Sequence, residues 1–450
     1  MISVAAENDF LSSFESFGKE RTGTDTAWLA GLRKSAMERF AELGFPTTRD
    51  EDWKHTSVAP IVRTSFRSAD ASDSSRLRAD TLKAVNLDRG FAGNQIVFVN
   101  GGFVPELSSV DGDDGVRLLG LRAALLRYPD RLEPHLGRHA GEDGNAFTAL
   151  NTAFLEEGAF VWVAPGAIVT EPIHLVFLST CGGDGNPTVW HPRALIVAGR
   201  ESQATVVETY GGPQGETYFT NAVTEIVMEE AAVLDHYKLQ RESEAAFHVA
   251  TLAVHQGRGS RFSNHAIGLG GALVRNDINV RLAAEGAECV LNGLFLARGQ
   301  QHMDTHTRID HAKAHCSSRE LYKGILDGKA RGVFHGTILV REGAQKTDAH
   351  QTNKNLLLSR EALVHSTPAL RIHADDVKCK HGSTTGQLDP GQLFYLRSRG
   401  IGEETARSLL TYAFAGDIVG RIKVEPVRTA TQAVLQRRLP GAVAMKEAVA

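Results

Sequence analysis

Apolar residues recur at Trp28, Leu32, Ala36, Phe40 and Leu43, every three or four positions, which collects them on one face of a helix. Gly44 and Pro46 follow and stop it, so the spacing predicts an amphipathic helix over 24–43. After "FPTTRDEDWKHTSVAPI" comes the polar run "RSADASDSSR", whose small and charged residues favour a linker. A boundary is expected near Ser75, closing an N-terminal helical region over 1–75. The stretch 76–158 reads as a mixed α/β lead-in. It holds a strand at "QIVFVNGGFV", a short helix around "LLGLRAALLRY" and a helical piece at "NAFTALNTAFLEEG".

From Ala159 the period shortens from helical to strand-like. Runs such as "AFVWVAPGAIVTEPIHLVFLST", "ALIVAGRESQATVVETY" and "AVTEIVMEEAAVLDHYKL" are rich in Val, Ile, Thr and aromatics and are broken by tight polar turns. A turn-plus-strand unit recurs as "PGAIV", "ESQATVV", "EEAAVL", "RGSRF", "EGAECVL" and "EGAQKT", in several cases about 28 residues apart, a period that points to stacked coils. The fold class expected is mainly β, with a parallel β-helix core over 159–388. From Asp389 the pattern returns to helix. Asp389 as N-cap, Pro390 in the first turn, Gln392 three residues after the cap and Gly400 as stop delimit one helix. "EETARSLLTYAFAGDIV" follows as a second, with an apolar stripe of Ala406, Leu409, Leu410, Ala413 and Phe414. The C-terminal helical domain is expected over 389–450.

The 450 residues carry a net charge of −4 and 42% hydrophobic residues, enough for a large core and no basis for non-specific binding to nucleic acid or an anionic membrane. The N-terminus lacks a signal-peptide pattern and no apolar run approaches a spanning length, so a cytoplasmic location is expected. Cys181, Cys289, Cys316 and Cys379 form no CxxC pair, which argues against a disulfide framework and a cysteine zinc site. No phosphate loop, nucleophile elbow or zinc-protease helix occurs, and "GLGGA" at 268–272 is only a fragment of a dinucleotide fingerprint. The motifs of the common hydrolases and of P-loop nucleotide hydrolysis are thus missing.

Two places concentrate candidate ligands. "QHMDTHTRIDHAKAHC" carries His302, His306, His311, His315 and Cys316; on strands, parity puts His302 and His306 on one face and His311 and His315 on the other, so no arrangement gathers them all. In "DDVKCKHGSTTGQLD", a strand would point Cys379 and His381 to one side and Lys378 and Lys380 to the other. Thiolate and imidazole suit iron or sulfur chemistry, and neighbouring lysines lower a thiol pKa. The alternative is a small buried cysteine beside a turn histidine, and the residues alone leave both readings open.

"TDAHQTNKNLLLS" (347–359), "ADDVKCKHGSTTGQLD" (374–389), "QLFYLRSRGI" (392–401) and "TYAFAGDIV" resemble the signature segments of the SufB/SufD family of iron–sulfur cluster assembly proteins, on its SufD side. "EDWKHTSV" resembles the family's N-terminal Trp-Lys-Tyr-Thr segment, with His55 in place of the tyrosine. The resemblance spans most of 159–424, and the missing nucleotide-hydrolysis motif fits the non-enzymatic scaffold subunit implied by it. It implies a right-handed parallel β-helix, a SufB-like β-helix partner, and a SufC-like ABC ATPase held by the C-terminal helices within 389–419, where Leu393, Tyr395, Leu409, Tyr412 and Phe414 are candidate contacts. It implies that His381, and secondarily Cys379, contribute to a nascent iron–sulfur cluster or iron shared with the SufB-like chain, none being firmly held by this chain alone. Only His311, in "RIDH", fits the family pattern within the histidine cluster. Whether the isolated chain pairs with itself stays open. The alternatives are the SufB paralogue and a β-helix enzyme acting on an extended substrate.

Overall fold

The computed structural model describes residues 2–21, 26–70, 93–110, 115–141 and 144–439, and the boundary expected near Ser75 lies outside them. From Gly158–Val163 onward the chain winds into a parallel β-solenoid of about seven turns. Successive strands alternate between two sheets. In one, Tyr218–Met228, Phe247–Gln256, Leu273–Leu282, His302–His311, Arg331–Val340 and Leu363–Ile372 pair in parallel. The other runs through Gln203–Gly211, Val233–Arg241, Arg261–Gly268, Glu288–Ala297, Ser317–Leu326, Asp348–Leu357 and Lys378–Gly386. One column reads Phe219, Phe247, Leu273, His302, Arg331, Leu363, so the repeat read from the sequence is the height of one coil.

The recurring turn unit is one corner of the coil. Gly166, Glu201, Ala231, Gly259, Gly286, His315 and Lys346 occupy it with φ between 55° and 74°, and each donates its N–H to a carbonyl of the next coil at 2.7–3.3 Å. The interstrand ladder thus continues around the bend and satisfies backbone groups that a corner would otherwise orphan. Four of these seven residues carry a β-carbon, each at a cost of about 1–2 kcal/mol in the left-handed region.

The solenoid is covered on three sides. The inner faces of both sheets form the main core, from Ile96 and Phe98 through Val206, Ile226 and Leu234 to Tyr322 and Phe334. The outer face of the first sheet packs under the N-terminal helices Ile2–Glu20, Ala27–Leu43 and Ala146–Ala153 through Phe40, Trp53, Phe147, Phe219 and Phe247. The outer face of the second carries Glu403–Val419 and Glu425–Arg438 through Tyr237, Ile267, Leu294, Ile418 and Val427. Strands buried on both faces read as continuous apolar runs, which is why alternation is faint in the central coils. The beginning of the solenoid is capped, because Val116–Gly120 lies antiparallel on Gly158–Val163. Lys378–Gly386, at the other end, is a bare sheet edge.

Several expectations need correction. The helix predicted over 24–43 begins at Ala27, and its buried line is Leu29, Arg33, Met37 and Phe40; Trp28, Leu32 and Ala36 flank that line against two different clusters. Arg33 is tolerated there because its guanidinium donates to the Leu155 carbonyl at 2.5 and 2.8 Å. "LLGLRAALLRY" divides into the strand Val116–Gly120 and the helix Leu121–Arg127. In Glu403–Val419 the buried face is Ala406, Ser408, Thr411, Ala415, Ile418 and Val419, with Ala413 exposed. Small side chains let this helix sit close on the sheet, and Thr411 returns its hydroxyl to the Arg407 carbonyl at 2.8 Å.

Candidate functional site

Asp348–Leu357 pairs with Lys378–Gly386 so that Ala349 faces Cys379 and Gln351 faces His381. Ala349 and Gln351 are buried on the inner side of their coil. The next coil up has no coil above it, so the same inner row emerges as a half-buried Cys379 and an exposed His381. Cys379 packs with Ile338, Val340, Ala344 and Ala349. Burial pushes its thiol pKa up, Asp348 adds to this, and the Ala349 backbone hydrogen bond opposes it. The lowering expected from Lys378 and Lys380 is not found: the thiol is shifted upward, by burial first.

The inner column behind His381 is polar in its upper part. It descends through Gln351 and Glu320 to Leu291, Asn264 and His236. Gln351 donates to Glu320 at 2.8 Å, and burial, only partly opposed by Thr307 and Gln351, pushes the Glu320 carboxyl up to about 7. Deeper in the solenoid, Lys238 donates to Asn276 at 2.7 Å and lies 2.9 Å from His248. Burial lowers its pKa to about 8 against the pull of Glu208 and Glu242. Residue-by-residue reading missed this interior polarity, whose only signal is a Lys, His or Glu where strand parity calls for an apolar residue.

The histidine cluster separates as parity required for His302, His306 and His311, but His315, expected on the face of His311, lies beyond the strand His302–His311 at a corner. His311 points into the core, fully buried, with Nε2 2.9 Å from Ser318 Oγ, and burial lowers its pKa to about 4. His315 is the left-handed corner residue of its coil, and Cys316 is buried, its thiol 3.3 Å from the Ala284 carbonyl. His302, Asp304 and His306 face outward, and the segment 51–56 lies on them. The Asp52 carbonyl accepts from Arg275 Nη1 at 2.8 Å, and Trp53 lies 4.4 Å under the Arg275 guanidinium. His55 stacks on His365 with ring centroids 3.9 Å apart. The Thr56 hydroxyl donates to Asp304 at 2.5 Å and so accepts from His302 Nε2 at 2.8 Å. Arg275 also holds Asp277 and Asp304, each at 2.7 Å. Burial works against the Asp304 charge, but Arg275 outweighs it and holds the carboxyl below its ordinary range. Two stretches that looked unrelated in sequence thus form one surface.

Of the candidate partner contacts, Tyr395 is exposed and Leu393 half-buried on Pro390–Ser398, a helix with no buried residue. Asp389 caps it, accepting from the Gly391 N–H at 2.7 Å. Leu409, Tyr412 and Phe414 are half-buried. Tyr412 and Phe414 lie against the solenoid, and Lys323 sits 4.6 Å over the Phe414 ring while donating to its carbonyl at 3.0 Å. Among the described residues no helix is long and apolar enough to cross a membrane.

A parallel β-solenoid with helical flanks is the class of fold, and comparison with known proteins gives it a family. The profile of the SUF system FeS cluster assembly SufBD core domain matches 180–414, and that of the SufBD N-terminal region matches 4–175. The chain is 35% identical over 412 residues to an iron–sulfur cluster assembly SufBD family protein of Synechocystis sp., covering 89% of each. It is 31% identical to the iron–sulfur cluster assembly protein SufD of Escherichia coli, over 90% of this chain and 92% of that one. With SufD of Bacillus subtilis it shares 27% identity over 97% of this chain and 98% of the other. The chain belongs to the SufB/SufD family, close to SufD, and is a subunit of SUF iron–sulfur cluster assembly.

Proposed function

We propose that the chain is the SufD-like half of a cytoplasmic cluster-assembly scaffold, pairing with a SufB-like β-helix at its open end and recruiting a SufC-like ATPase through its C-terminal helices. The observation that carries this reading is the bare final strand. An unpaired sheet edge templates pairing with another chain, and this one presents His381 and Cys379 on the same side. His381 is the principal ligand offered to a nascent iron–sulfur cluster and Cys379 the lesser one, the remaining ligands coming from the partner; the cluster is cargo, shared and released. For the ATPase, the support is Pro390–Ser398, where Phe394 and Tyr395 are 73% and 58% exposed, an unusual exposure of aromatics away from an interface. Leu393 belongs to the same contact, with Leu409, Tyr412 and Phe414 at its base.

The test is co-expression with SufB-like and SufC-like chains. His381→Ala is expected to give a complex of unchanged size with reduced iron and acid-labile sulfide, and Cys379→Ser a smaller loss. Full cluster content in His381→Ala would overturn the ligand assignment, and failure of the wild-type chains to co-purify would overturn the pairing.

A further inference from the structure

We propose that Asp52, His306 and His335 form a binding site for a divalent transition-metal ion of the zinc, cobalt and ferrous class, clamping the N-terminal segment onto the solenoid. His306 and His335 face each other in register on adjacent coils, with ring centroids 4.9 Å apart. The backbone ladder sets that spacing. Asp52 approaches from the segment 51–56, and one ligating atom of each of the three lies within 4.8 Å of the others. Ligands about 2.1 Å from a tetrahedral ion stand roughly 3.4 Å apart. The site therefore needs a small closure, for which the exposed Asp52 and half-buried His335 have room. Two imidazoles and one carboxylate are the donor set of borderline divalent ions.

The surroundings are arranged for a cation. Arg275 Nη1 lies 2.8 Å from the Asp52 carbonyl, 2.7 Å from Asp304 Oδ2 and 3.0 Å from His306 Nε2, and its two hydrogens go to the two oxygens. His306 Nε2 lies 3.2 Å from Asp304 Oδ1, a buried carboxylate oxygen with no other hydrogen-bond partner. A proton on Nε2 satisfies that oxygen and leaves His306 one unprotonated ring nitrogen, the carboxylate–histidine arrangement that orients metal ligands. The Asp277 and Asp304 carboxylates pair with one permanent cation, Arg275, so the Asp52 carboxylate among the ligating atoms adds negative charge that a divalent ion would neutralise.

The site is separate from the open end, so the test uses the full chain with both Cys379→Ser and His381→Ala in place, stripped of metal and titrated with Co²⁺ and then Zn²⁺. One equivalent of Co²⁺ is expected to give the visible bands of a four-coordinate nitrogen–oxygen site without a thiolate charge-transfer band. Zn²⁺ is expected to displace it and raise the melting temperature. Asp52→Asn, exposed and isosteric, and His335→Ala should each weaken binding by about tenfold or more and abolish the thermal shift. Absence of stoichiometric binding, or binding that neither variant weakens, would overturn the assignment and leave an adventitious surface ion only.

Discussion

Tyr218–Met228, deep in the solenoid, has every residue buried, whereas Lys378–Gly386, at its end, has none. Both strands follow the same pleat and pair in the same parallel manner, so the difference is made by what covers them. The early strand has helices outside, a neighbouring coil on each side, and polar groups locked in place. Arg193 and Glu225, both fully buried, pair there. Glu225 also accepts the backbone N–H groups of Gly137 and His139 at 2.8 Å, while Arg193 donates to Asn151 and Thr152 at 3.0 and 3.1 Å. The late strand pairs on one side only among the described residues, and its internal contacts are few, such as Ser383 with Ser366 at 2.7 Å and Cys379 against Ile338 and Ala349. The same backbone architecture is fully buried at one end and largely exposed at the other.

That contrast is broken most strongly at the ion pair. Glu225→Ala strands Arg193 and the backbone donors of Gly137, His139 and Ala140, and is expected to cost about 3–5 kcal/mol, read as a lower urea midpoint with unchanged slope. Lys380→Ala in the last strand should stay within about 0.5 kcal/mol of wild type; comparable losses from the two would erase the distinction.

The next largest effect lies between the two ends. Glu320 has a folded pKa near 7 against an ordinary 4.5, so the folded state holds the proton more tightly than the unfolded chain. Its contribution is fully present below pH 4.5 and is lost as the pH rises towards 7, a swing of about 3 kcal/mol. Urea unfolding across this window should show Glu320→Gln lacking that decline, and parallel stability curves for the two proteins would refute it. Groups such as His311, lowered to about 4, act oppositely but equally in both proteins.

The smallest effect concerns the corner. His315 is exposed and left-handed, with φ 60°. Glycine relieves about 1–2 kcal/mol of strain and costs about 0.5–1 in chain entropy. His315→Gly should therefore raise the melting temperature slightly, and a fall would show that the imidazole itself supports the turn.

The corner was legible because a left-handed turn and the ladder through it demand the same small or polar residues in each coil, giving "EEAAVL" and "EGAECVL" their likeness. Strand parity likewise put Cys379 with His381, and His302 with His306, on shared sides. The partnership of His306 with His335 was not legible, since a 29-residue step pairs them and neither residue marks its partner. Nor was the docking of Trp53 on Arg275, which depends on a chain reversal no local pattern encodes. The burial of Glu403–Val419 was misread because close approach to a sheet selects small residues, while apolar spacing favours large ones.

The Asp52 carbonyl and Arg275 are 223 residues apart in the chain. At ordinary translation rates that is a delay of roughly 10 to 45 s between the emergence of the N-terminal helices and that of the strand they rest on. Phe147 and Phe219, which share a cluster with Phe40, Phe45 and Trp53, emerge within that interval, whereas the Arg275 guanidinium over Trp53 comes only at its end, so the seat of the N-terminal segment is completed in two stages during synthesis.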